Sequence, residues 1–191
     1  MATQHLRAQV LSALAALALA TSAAAADPAP TQAAIARDGA HDFDFDFGVW
    51  KTAITRRVHP LSDSAEAIHL NGTVTVRKIW GGKGSWEEIE ADGPNGHWEG
   101  MSLFLYDPAA HQWSQSFIGS AQGAFGGGMI GSFQDGKAEL FASDTLDGRA
   151  ILVRATWSQI TPTSHTYEED YSGDGGKTWK LSFIAKLTKA S

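Results

Sequence analysis

The chain has 191 residues, 15 lysines and arginines against 21 aspartates and glutamates, and a formal net charge of −6 with histidines neutral. No clustered basic face is visible, so no nucleic-acid partner is expected. The absence of cysteine removes disulfides, thiolate nucleophiles, iron–sulfur clusters and cysteine-held zinc together, and leaves stability to packing by seven tryptophans and nine phenylalanines.

At the N-terminus Arg7 precedes the apolar run VLSALAALALA and the small-residue stretch TSAAAA. This order of charge, apolar run and A-x-A site reads as a secretory signal peptide over residues 1–26, cleaved near Ala26. Periplasmic or secreted localisation follows as an expectation. The run is about 11 residues, short of the roughly 20 a spanning helix needs, so no stable membrane anchor is expected. No cysteine follows it to carry a lipid. Residues 27–42 read as a flexible lead-in and 43–189 as one domain. After cleavage about 165 residues (191 − 26) would remain, enough to build one core.

From residue 43 onward, runs of β-branched and aromatic residues are cut by turn chemistry. The breaks are PLSDS (60–64), GGKGS (81–85), DGPNG (92–96), DPAA (107–110), GSAQG (119–123), QDGK (134–137), LDGR (146–149), TPTS (161–164) and GDGG (173–176). They delimit ten strands and leave no helical period. Asn71-Gly72 interrupts a run whose alternation continues through it, so a bulge or bend is preferred there and a hairpin is the alternative.

Alternation separates inside from outside. Ile68, Leu70, Val74, Val76 and Trp80 share one face of the second strand, while His69, Asn71, Thr73, Thr75 and Arg77 share the other. One apolar and one wet face per strand, with short turns between neighbours, predicts an all-β fold: a single antiparallel up-and-down barrel of about ten strands. Closure removes the edges that an open sheet would expose.

Phe47-Gly48-Val49-Trp50 is similar to the Gly-x-Trp signature of lipocalins and other calycins. The resemblance implies a tryptophan plugging the closed end and a glycine letting the entering chain pass close by. The ordered set FDFGVW, VRKIW, GMSLFLYDPAAHQW, TWSQITPTS and YSGDGGKTW resembles an uncharacterised bacterial exported family, a domain of unknown function grouped with calycin-like barrels. It spans residues 43–189 and implies a fold without a reaction.

Several motifs suggest chemistry. Asp42, Asp44 and Asp46, read as a strand, lie on one face about 6.8 Å apart, too far to hold one cation without further ligands. No metal site is expected from them. SGDGGKTW (172–179) matches the Asp-box of sialidases, but propellers repeat their units and this chain shows no repeat. Asp174 is therefore expected to brace a turn. GAFGGGMIG (123–131) has no following lysine and helix for a phosphate, and its glycines read as bending points or as room for a ligand. His97 and Glu99, and His165 and Tyr167, are i,i+2 pairs able to share a face. Surface decoration is the plainer reading of each pair.

On the parity that buries most aromatic surface, Trp50, Arg56, Trp80, Trp113, Gln115, Phe117, Met129, Trp157, Tyr167 and Glu169 point inward. Arg56, Gln115 and Glu169 are then polar groups on apolar faces and require partners. Two readings stay open. In one, the core is plugged, with an Arg56–Glu169 pair sealing one end as an arginine does beneath the lipocalin tryptophan. In the other, Trp50, Arg56, Trp80, Trp113, Gln115, Met129, Trp157, Tyr167 and Glu169 line a site for a small hydrophobic or aromatic molecule. The alternative function is a small isomerase or lyase in the same cavity, with Glu169 or Glu99 as base and Tyr167 or His97 as acid. A haem-binding barrel similar to nitrobindins would need His97 or His165 as an inward axial ligand. No cofactor is otherwise expected, and the oligomeric state is not legible.

Overall fold

Regular alternation organises the computed structural model, which describes residues 38–190. From Gly48 onward, β1 (Gly48–Arg57) turns Trp50, Thr52 and Ile54 to the interior and Lys51 and Ala53 to solvent. The same period runs through β2 (Ala67–Ile79), β3 (Gly84–Gly93), β4 (Gly96–Asp107), β5 (Gln112–Gly119), β6 (Met129–Gln134), β7 (Lys137–Leu146), β8 (Arg149–Ser158), β9 (Ser164–Ser172) and β10 (Lys180–Lys189). Each strand pairs antiparallel with its sequence neighbours, and β1 pairs with β10, which closes the barrel. All nine expected breaks fall between strands or at their ends. The signal peptide and its cleavage point lie outside the described residues.

β2 runs through Asn71-Gly72 with continuous pairing to both β1 and β3, so the chain neither reverses nor bulges there. Gly72 instead permits close approach of β3. A Cβ at this position would lie 1.9 Å from the Glu90 carbonyl oxygen. The weakest join is between β5 and β6, where pairing is limited to Trp113–Gly131, Ser114–Ile130 and Gln115–Met129. The glycine-rich loop beyond β5 hangs on a bond from Gly126 N to Phe117 O at 3.1 Å.

The aspartate–phenylalanine row departs from the expected strand. Asp44–Asp46 form a 3₁₀ turn, whose three-residue period brings positions i and i+3 to one side. Phe43 and Asp46 are therefore buried together while Asp44 faces solvent. The end of the expected lead-in is also tied down. Gly39 accepts a bond from the Trp113 indole at 2.9 Å and donates to the Tyr106 hydroxyl at 2.9 Å. The Asp-box motif is a braced turn: Asp174 Oδ1 accepts from the Ser172 hydroxyl and from the amides of Lys177 and Thr178, and Oδ2 from the Thr178 hydroxyl. These bonds hold the exposed Asp174 carboxyl well below the usual range, the Thr178 amide contributing most.

Candidate functional site

The two ends of the barrel are built differently. At the end where β1 begins, the N-terminal segment folds under the strands and fills the interior. Phe43 packs its ring against Phe104, Trp113 and Trp157 at centroid distances of 5.4, 5.1 and 5.2 Å. Trp50 has no solvent exposure, donates its indole N–H to the Asp46 carbonyl at 2.7 Å, and meets the His165 ring edge-on at 4.6 Å. Lys189 Nζ sits 4.0 Å from the Trp50 ring centroid. The positive φ of Gly48, 123°, admits this arrangement, since a Cβ there would meet Lys189 Nζ at 2.6 Å. Trp50 is thus buried at this end, with Gly48 beneath the Lys189 side chain. The cation over the tryptophan is Lys189, from the last strand, and not Arg56.

Toward the opposite end, inward-facing side chains keep solvent access. Leu70, Ile89, Trp98, Phe117, Tyr167, Glu169, Tyr171 and Phe183 all lie on interior positions of the pairing register, and all are half-buried. Trp98 stacks on Phe117 at 6.1 Å. Gly100, between them in the register, makes room for the Phe117 ring, which a Cβ would approach to 2.7 Å.

Two polar groups sit in this wall. The Tyr167 hydroxyl donates to Glu169 at 2.6 Å. Burial pushes the Glu169 carboxyl up despite the Tyr167 bond and the Arg56 charge, and Asp144 adds to the rise. The Tyr167 phenol is raised well above its usual value by burial and then by the Glu169 charge, with Glu87 contributing. Glu169 is half-buried. In the second group, Gln115 Nε2 donates to the Ser102 hydroxyl at 3.2 Å, and Ser102 donates to Glu87 at 3.0 Å. Burial, reinforced by the Asp46 charge, pushes the Glu87 carboxyl up to about 8 against the opposing Ser102 bond. Glu87 is therefore a neutral acid at pH 7.

The expected site residues separate by height. Trp50, Trp113 and Trp157 belong to the closed end. Met129 and Gln115 are buried and inward-facing, while Tyr167 and Glu169 stand in the open half. Arg56 has inward parity but is exposed at the rim, and among the described residues it forms no direct ion pair with Glu169. The expected Arg56–Glu169 plug is therefore absent. Trp80 is displaced from the interior altogether. Alternation ends at Ile79, and Trp80 enters a 3₁₀ turn at φ 49°, which leaves it 68% exposed.

His97 and Glu99 are on the outer face, where His97 bonds Asp92 at 2.9 Å and stands 3.7 Å from Glu99. They do not share the cavity with Tyr167 and Glu169. His165 is inward but wedged between Trp50 and Phe45 and against Asp46, so no face is free for haem. Glu87 and Ser102 are interior polar residues outside the set expected from the sequence, and Asp46, expected on a strand face, is buried instead. In SWEEIEADG the acids read as a solvated face, but the pairing of Val76 with Glu87 places the glutamate inside.

Two clefts indent the outer surface. One of about 710 Å³ lies beside Gly39, His111 and Phe133, and one of about 340 Å³ beside Arg57, Asp63 and Lys180. Neither is lined by the interior polar groups.

No protein-family model matches the chain, nor does any curated protein. Among solved structures, the barrel is similar to the S-type phycobiliprotein lyase CPES from Guillardia theta. That likeness has 12% identity, covers 82% of this chain and 94% of that one, and has a TM-score of 0.53. A de novo designed fluorescence-activating β-barrel aligns at 11% identity over 81% of this chain and 99% of its own, with a TM-score of 0.43. EF1p2_mFAP2b bound to DFHBI aligns at 9% identity over 80% of this chain and 99% of its own, with a TM-score of 0.45. At such identities the likeness is one of fold.

Proposed function

We propose that this protein is an exported barrel, of the kind its motifs resemble, that binds a small apolar or aromatic molecule in the open half of its interior. The observation that carries the reading is the contrast in packing. Inward residues such as Trp50, Phe104, Trp113 and Trp157 in the closed half lose nearly all contact with solvent, whereas Leu70, Ile89, Trp98, Phe117 and Phe183 keep some on a wall where Ile151 and Val153 are buried. An apolar concavity with a few convergent polar groups suits a small-molecule site. Trp98, Phe117 and Phe183 would supply contact area, and Tyr167, Glu169 and Gln115 orientation.

The test is titration with neutral solvatochromic probes, Nile red and prodan. Blue-shifted, enhanced emission is expected from the native chain and should be lost in Ile89→Trp, which fills the same space. No response from the native chain overturns the reading. Export is tested separately by sequencing the N-terminus of protein from the native compartment, where a start near Asp27 is expected.

A second reading has its own observation. The 2.6 Å Tyr167–Glu169 bond joins a phenol and a carboxyl that both hold their protons more tightly than usual. Such a pair could serve acid–base isomerase or lyase chemistry. Turnover of a bound ligand that disappears in Tyr167→Phe, with binding retained, would establish it.

A further inference from the structure

Resting on the binding reading above, we infer that the interior site prefers an organic cation: a protonated amine on an aromatic or apolar body, its ammonium group between Glu87 and Gln115. The geometry is one of unused acceptors. Apart from the acid proton of Glu87, the cluster's donors are engaged, Gln115 Nε2 with Ser102, Ser102 with Glu87 and Tyr167 with Glu169. Gln115 is 6% exposed, and its Oε1 has no partner. With the Ser102 hydroxyl donating to Glu87, Ser102 accepts from Gln115 Nε2 and the amide oxygen is left without a partner. Asp46 Oδ1, whose charge acts on Glu87, lies 3.1 Å from His165 Nε2 and has no hydrogen bond among the described residues. Thr52, 4% exposed, has a free hydroxyl that can donate or accept.

Buried acceptors left unpaired are costly, and an ammonium group supplies three N–H donors and no acceptor. The charge of the wall agrees. The ionisable groups acting on Glu87 and Glu169 are Asp46 from the N-terminal turn, Asp144 from β7, Tyr167 and Tyr171 from β9, and Arg56 from the rim of β1. Of these only Arg56 is cationic, and it is exposed. Aromatic rings at Trp98, Phe117 and Phe183 would face the body of the ligand, and such faces attract cations.

Without ligand, a proton on Glu87 neutralises the buried carboxyl. An incoming R–NH₃⁺ would take that role, and the Glu87 proton would leave to solvent. Binding should therefore release protons below about pH 8 and strengthen as pH rises toward that value.

The experiment uses calorimetric titration of the full chain with three near-isosteric probes: phenethylammonium, 2-phenylethanol and 3-phenylpropionate. At pH 8 the cation should bind about tenfold more tightly than the alcohol, a gap near that of one charge-assisted hydrogen bond, with the propionate weakest. Titrations in buffers of different ionisation enthalpy should show proton release. Glu87→Gln, isosteric with the neutral acid, should fold, lose the preference for the cation, and keep its affinity for the alcohol. Arg56→Gln, a change at the exposed rim, should tighten cation binding severalfold. Equal affinity for the three probes, or preference for the propionate, overturns the inference while the binding reading stands. Response to Nile red with no binding of the cation does the same. Silence toward every probe and dye overturns both.

Discussion

The closed and open halves of this barrel share one pattern of alternation and reach opposite packing. In the closed half, interior positions meet a second layer, the N-terminal turn carrying Phe43 and Asp46, and become almost wholly inaccessible. In the open half Leu61 of the β1–β2 loop packs against the core, but among the described residues no second layer like the N-terminal turn is inserted, and Leu70, Ile89, Trp98, Phe117 and Phe183 keep some exposure. Trp50 and Trp98 show the difference: both are inward-facing, but one is without exposure and the other is half-buried. Alternation decides which side of the wall a residue takes. It does not decide whether anything waits on that side.

The largest expected effect tests the filled end. Trp50→Ala removes the indole with its bond to Asp46 and its contacts with His165 and Lys189, and should cost about 3–5 kcal/mol in urea unfolding. A loss below about 1 kcal/mol would mean that this end is not the structural anchor.

A second effect depends on pH. The Glu87 carboxyl titrates near 8 in the folded protein against 4.5 for the unperturbed group. Between those values the folded state holds a proton that the unfolded chain has released, so stability should fall as pH rises through that window. Glu87→Gln should flatten this dependence and, by pH 9, be more stable than the native chain by roughly 2–3 kcal/mol, a discounted share of the full shift. Parallel stability–pH curves for the two proteins would show that Glu87 is not buried as a neutral acid.

Trp98→Ala, the counterpart of the first substitution, should cost less, about 1–2 kcal/mol, since Trp98 is only partly buried. Its larger effect should be a loss of probe binding by titration. The smallest change expected is from Arg56→Met. An exposed rim residue without a direct ion pair should alter stability by no more than about 0.5 kcal/mol. A loss of several kcal/mol would restore Arg56 as a structural plug.

Residue types at short range were sufficient for the ten strands, their turns, the closure and most of the inward parity. Each of these follows from a two-residue period punctuated by Gly, Pro, Asn and Asp, and a period is a local property. The same locality explains the departures. Trp80 continues the alternation of β2 on paper, but the strand ends at Ile79, where Gly81 and Gly82 at positive φ turn the chain outward. Asp46 alternates with phenylalanines as a strand residue would, yet a 3₁₀ turn carries it inward beside Phe43. Glu87 sits among outward acids and an aromatic neighbour, and only its pairing with Val76 across β2 and β3 reveals that it is interior. The cation over Trp50 comes from Lys189, at the far end of the sequence. Height along the barrel axis was decided by tertiary structure alone, because a strand's period marks faces and not levels. Which end is filled depends on where the N-terminal segment tucks under the strands. That choice separates the tryptophans of the floor from Tyr167, Glu169 and the open wall.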